Sequence, residues 1–171
     1  MKKILALVLA LVMVLTAVSA MAAGSKGQSD ISTVTAEVEV SKISPDAKLQ
    51  AVIDAVTAAQ KDGDALKGLP GDVTAKIPAE RKTINEMSCW QITGDVSTLS
   101  KLELKFKFDT PFTGIKQVTL LIGISAPNAE EVEWLVLVGD VNDNNEVVVT
   151  VTAAELAKIS NNPFIVIPVC E

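Results

Sequence analysis

The sequence predicts a mainly β domain: an antiparallel two-layer β-sandwich of about seven strands, with one amphipathic helix inserted after the first strand and a short helix before the last. Three observations lead there. Beyond Asn85, segments with period-two alternation or short apolar runs recur about every ten residues, a spacing that suits antiparallel neighbours better than strands joined by crossover helices. Only one long stretch carries a clear helical apolar period. Glycine, proline, asparagine and aspartate collect between the periodic segments, where turns need them.

The first segment is not part of that domain. Lys2 and Lys3 precede an apolar run, Ile4 to Val18, interrupted by Thr16 alone, and Ala20-Met21-Ala22 supplies small residues at −3 and −1. Residues 1–22 therefore read as a secretory signal peptide cleaved after Ala22, similar to a bacterial Sec-type signal, with no cysteine following for lipid attachment. An uncleaved anchor helix is the competing reading, since about 20 apolar residues can span a bilayer. The A-x-A site and the flexible Gly24-Ser25-Lys26-Gly27 favour cleavage. Residues 23–31 form a flexible lead and 32–171 a single β-rich domain, secreted or held at the cell surface.

Within that domain, Val34, Ala36, Val38 and Val40 alternate with polar residues from Ser32 to Ser41, predicting a strand with one wet face. Ser44-Pro45-Asp46 opens a helix, with Ser44 able to cap, Pro45 suited to the first turn and Asp46 to the positive end of the dipole. Leu49, Val52, Ile53 and Val56 make one apolar stripe, and Gly63 ends the helix. Residues 61–84 are irregular, punctuated by Gly63, Gly68, Pro70, Gly71 and Pro78, with short helical turns expected at 64–69 and 79–84. A long irregular stretch in a compact domain is a candidate binding loop.

Strands follow at Met87–Thr93 and at Leu102–Phe108, where apolar and charged residues alternate. Val118–Ile124 and Trp134–Val138 are nearly continuous apolar runs, as in strands covered on both faces. Asp140 to Asn145 makes a hairpin turn into Glu146–Val151. Thr152-Ala-Ala-Glu155 is a capping box for a short helix ending near Asn161-Asn162-Pro163, and Phe164–Val169 is the final strand.

Chemistry is bounded mainly by absence. There is no histidine and no tyrosine, so a histidine base, a Ser-His-Asp or Cys-His triad and a histidine-ligated zinc are ruled out. The formal charge of −6 becomes −8 once Lys2 and Lys3 are removed, and Arg81 is the single arginine, which disfavours nucleic acid and anionic membrane as partners. Glu130, Glu131 and Glu133 beside Trp134 are the one carboxylate group able to suggest glycoside hydrolysis, though a polar turn entering a buried strand explains them as well. Asp140, Asn142 and Asn144 occupy alternate positions as in the first half of a calcium loop, but Asn145 stands where a glycine is needed and Val151 where a bidentate glutamate is needed. Calcium is thus the one cofactor the sequence suggests, and a hairpin turn using Asn and Asp for left-handed backbone is the simpler reading.

Cys89 and Cys170 are the only cysteines and allow one intramolecular pairing, expected as a disulfide in an oxidising compartment. It would close a loop worth about 4 kcal/mol. Trp90, flanked by polar Gln91 and near Ser88, is a candidate exposed aromatic contact, with packing in the core as its alternative. The expectation that emerges is a non-catalytic exported module contacting an extracellular protein or glycan through residues 61–84 and 125–131. A self-associating surface component, pairing through the strand Thr33–Ser41, is the alternative.

Overall fold

The computed structural model describes residues 30–33 and 38–171. The expected signal peptide, the expected lead up to Ser29 and residues 34–37 lie outside the described residues. Among the described residues nine strands form one antiparallel sheet: β1 (Asp30–Thr33), β2 (Val38–Lys42), β3 (Thr83–Ile84), β4 (Ser88–Gly94), β5 (Lys101–Lys107), β6 (Gln117–Ile124), β7 (Glu133–Val141), β8 (Glu146–Thr152) and β9 (Pro163–Cys170). Their order is β1-β5-β8-β7-β6-β9-β4-β2, with β3 on the free end of β9. The helices are α1 (Ala47–Lys61), α2 (Gly71–Thr74) and α3 (Ala153–Ile159), with a 3-10 turn at Ala65–Gly68.

The protein is mainly β and antiparallel, as its alternation requires, and its sheet is continuous and curled into a half-barrel. The two layers of a sandwich appear here as two lobes of that sheet. β7 and β8 are in register at only two residue pairs, Asp140↔Val148 and Val141↔Val147, beside the hairpin turn. One lobe is β1-β5-β8, and the other runs from β7 to β2. The alternating stretch that reads as one strand divides at the opposite corner: β1 pairs β5, whereas β2 pairs β4. Five peptide units separate Thr33 from Val38 and reach at most about 18 Å, so the two ends of the strand path must lie near each other. Asp30 and Ile31, expected in the flexible lead, belong to β1.

Side-chain alternation then builds two cores. Inside the curl, Leu102, Leu104 and Phe106 of β5 and Val147, Val149 and Val151 of β8 meet Leu120 and Ile122 of β6, Phe164 and Val166 of β9, and Trp90 and Ile92 of β4. Phe108 and Phe112, edge to face at 5.7 Å, pack into this core near the hairpin end. Leu156 and Ile159 of α3, both fully buried, pack into it near the other end. α3 starts with the expected capping box: Thr152 N donates to Glu155 Oε2 at 2.8 Å, and Glu155 N donates to Thr152 Oγ1 at 3.4 Å.

β6 and β9 are buried on both faces because α1 lies across their outer side. Leu49 and Val56 of α1, both fully buried, share a second core with Leu121, Ile165, Ile167 and Val169. Each such side chain contributes about 1.5–3 kcal/mol by leaving water. The helix therefore covers a face of the sheet rather than its edge. Its cap is Asp46, whose Oδ1 accepts from Leu49 N at 2.9 Å, so Ser44 lies outside the helix and Pro45 just before the cap.

Candidate functional site

Residues 61–84 form a folded excursion between the C-terminal end of α1 and β3. Ala65, Leu69, Val73, Ile77 and Ile84 are buried in the outer core, which fixes the excursion at five points. Gly68 lets the 3-10 turn lie directly on α1: a Cβ there would stand 2.5 Å from Ala55 O and Val56 Cα. The 3-10 turn matches the helical turn expected at 64–69. The one expected at 79–84 is absent; Arg81 N bonds Pro78 O in a tight turn, and Thr83 and Ile84 then pair with Cys170 and Val169 as β3.

The excursion encloses an open groove of about 660 Å³. Leu66, Leu69, Ile77 and Pro78 supply its apolar lining, and Lys67, Arg81 and Lys82 its cations. Asp64, the one acid along the groove, lies 3.6 Å from Lys67. Arg81 also borders a second hollow, of about 500 Å³, with Lys116, Gln117, Asp140 and Glu171. Arg81 Nη1 donates to Thr119 Oγ1, and Thr119 is fully buried in β6. Among the described residues no carboxylate lies within salt-bridge distance of this guanidinium.

The loop 125–131 lies at the other end of α1. Ser125 Oγ donates to Asp46 Oδ2 at 2.5 Å, and Lys48 Nζ donates to Ala126 O and Ala129 O at 2.8 and 2.5 Å. Partial burial pushes the Asp46 carboxyl up. The hydrogen bonds from Leu49, Ser125 and Lys48, with the Lys48 charge, outweigh that and hold it below its usual range. This loop is tied down, and neither of the two hollows is lined by it.

The other sequence-derived residues are placed as follows. Trp90, considered as an exposed contact, is 3% exposed, and its indole N–H donates to Ser88 Oγ at 2.9 Å. It is an inner-core residue because β4 turns that face into the curl, and Lys42 covers its ring at 5.7 Å. The expected disulfide is not formed, and Cys89 and Cys170 are free thiols. The register explains why: Cys89 sits opposite Ile165, five residues along β9 from Cys170, or about 16 Å. The two side chains also enter different cores, one on each face of the sheet. A disulfide needs Cα atoms within about 7 Å. Burial pushes the Cys89 thiol up to about 12, with Asp46 adding to the effect.

Asp140, Asn142 and Asn144 are drawn into the β7–β8 hairpin. Asn142 Oδ1 accepts from Asn144 N at 3.0 Å and Glu146 N at 2.9 Å, while Asn142 Nδ2 donates to Glu146 Oε2 at 2.8 Å. Asp140 Oδ1 accepts from Gln117 Nε2 at 3.0 Å, and Asn145 carries the left-handed φ of 60°. Asn142 Oδ1 is thus committed to the turn and Asp140 Oδ1 to Gln117 of β6. Among the described residues no group of three or more acidic or thiol side chains gathers. Glu130 and Glu131 are exposed, and Glu133 is ion-paired with Lys158 of α3, so the three acids do not converge on one point.

Sequence reasoning marked the 61–84 segment but missed Thr119, Lys67 and Lys82. Arg81 was visible only as the single arginine. Thr119 reads as a filler in an apolar strand, and nothing local signals that a distant arginine will need its hydroxyl. No family model, curated protein or solved structure matches the chain.

Proposed function

We propose that this chain is an exported, non-catalytic binding module that contacts an extracellular protein or glycan through the groove of residues 61–84. The observation that carries the reading is the anchoring of an otherwise irregular segment. Five buried apolar side chains and a glycine pressed on α1 hold open a groove edged by three cations in a chain of net negative charge. Surface excursions fixed in this way are where rigid scaffolds carry recognition. The exposure of Glu130 and Glu131 and the ion pair of Glu133 with Lys158 weigh against a carboxylate-dependent hydrolase.

The test is capture by the immobilised mature protein, residues 23–171, from wall, membrane and medium fractions, run beside a Lys82→Glu variant. A partner retained by the parent and lost by the variant at unchanged melting temperature supports the groove. Equal retention by both removes it.

Self-association by strand addition is a second reading with its own observation: β1 and β2 stand at the two ends of the strand path, each hydrogen-bonded to one neighbour among the described residues. Sedimentation at rising concentration tests it, and a monomer throughout would end it.

A further inference from the structure

Taking the groove as the contact surface, we propose that its ligand is an extended acidic peptide segment that alternates carboxylate and aliphatic side chains, with a carboxylate held by Arg81. The guanidinium is placed to receive an anion. It is half-buried, oriented by the fully buried Thr119 hydroxyl, and left without a carboxylate partner among the described residues. An arginine fork presents donors that match a carboxylate in two-point fashion. One donor goes to Thr119, which fixes the plane and leaves others for a ligand.

The surroundings select the ligand further. Lys82 adds a second cation to the 660 Å³ groove, and Lys67 a third that Asp64 shares at 3.6 Å, so the groove keeps a positive excess that can match more than one carboxylate. In the second hollow Asp140 and Glu171 accompany Arg81 and Lys116, which makes that side poor for an anion and directs the ligand into the first. The same groove is lined by Leu66, Leu69, Ile77 and Pro78, aliphatic surface suited to side chains such as valine or leucine. A neutral polysaccharide would call for an aromatic platform. All four phenylalanines and Trp90 are buried, and Trp134 is half-buried against the outer core rather than beside the groove. An acidic peptide fits the cations and the aliphatic floor together.

The experiment is fluorescence anisotropy of the mature protein with a labelled peptide of alternating glutamate and valine. A glutamine-for-glutamate peptide and an oligogalacturonate serve as comparison probes. Saturable binding of the acidic peptide alone is expected, weakened at least about tenfold by Arg81→Gln and by Lys82→Glu. Arg81→Lys should lose a large part of the affinity because it keeps the charge but not the fork. Lys101→Glu, the same charge change on an exposed β5 residue, should leave binding intact, and melting temperatures verify that each variant is folded. No saturable binding, equal losses in Lys82→Glu and Lys101→Glu, or preference for the oligogalacturonate would each overturn the proposal. If the peptide fails while partner capture still depends on Lys82, the ligand class falls and the groove stands. If capture ignores Lys82, the groove itself falls.

Discussion

Two alanine substitutions three residues apart should move stability in opposite directions. At Gly68 an added Cβ would stand 2.5 Å from Ala55 O and Val56 Cα, both backbone atoms of α1 that cannot rotate aside. The 3-10 turn must lift from the helix, and overpacking of this kind costs about 1–3 kcal/mol. Replacing glycine also stiffens the unfolded chain, which returns about 0.4–1 kcal/mol. The net loss should be about 1–2 kcal/mol, a fall in melting temperature of roughly 3–8 °C for a domain of this size. At Gly71, the first residue of α2, nothing lies within 4 Å of the added Cβ and the backbone is not left-handed. Only the unfolded-state term remains, so Gly71→Ala should raise the midpoint by roughly 1–4 °C. Calorimetry or thermal circular dichroism on parent and variants reads both. Equal midpoints for the two variants would refute the claim that the excursion is seated directly on α1.

Four other outcomes are expected. Cys89 is protonated when folded and ionises near 9 when unfolded, so its stability contribution is full below pH 9 and falls as pH rises from 9 toward 12; Cys89→Ala should flatten this alkaline limb of a midpoint-against-pH series. Reducing agent should leave the midpoint unchanged, because neither Cys89 nor Cys170 is bonded to the other. The Asp46 carboxyl is held low, so it stabilises above its unfolded value of about 3.9 and loses that effect as pH falls through its folded value. Asp46→Ala should cost about 1–2 kcal/mol near neutral pH and shrink the acid-side loss, measured by urea unfolding across pH 2–7. Asn142→Ala removes three hydrogen bonds from the β7–β8 turn and should lower stability by about 1–3 kcal/mol, equally with calcium and with chelator.

What the sequence made legible was local. The capping box at Thr152 and Glu155, the turn around Asn145, the alternation of Leu102 to Phe108 and the stripe on α1 each declare themselves within a few residues. What it hid depended on partners. Cys89 and Cys170 look pairable until the register of β4 on β9 assigns them to opposite faces. Trp90 has polar sequence neighbours, yet strand parity alone sends its ring inward. The stretch from Ser32 to Ser41 alternates without a break, so nothing in it marks where the chain passes from one lobe to the other. The groove was half legible: its glycines and prolines flagged an excursion, but Arg81 gained its meaning from Thr119, 38 residues away.

The strand order carries a consequence for how the protein is made. β9 bonds β6 along one side and β4 and β3 along the other, and it is the last of the nine strands in chain order. The lobe built around it cannot assemble until it emerges, however early the others are synthesised. Most of the native pairings are distant in sequence, a topology that folds slowly. A nascent chain of this kind leaves that lobe open until residues 163–170 have been produced. The same dependence makes the centre of the sheet the part most exposed to premature termination, since losing only β9 would strip β6 and β4 of their shared neighbour at once.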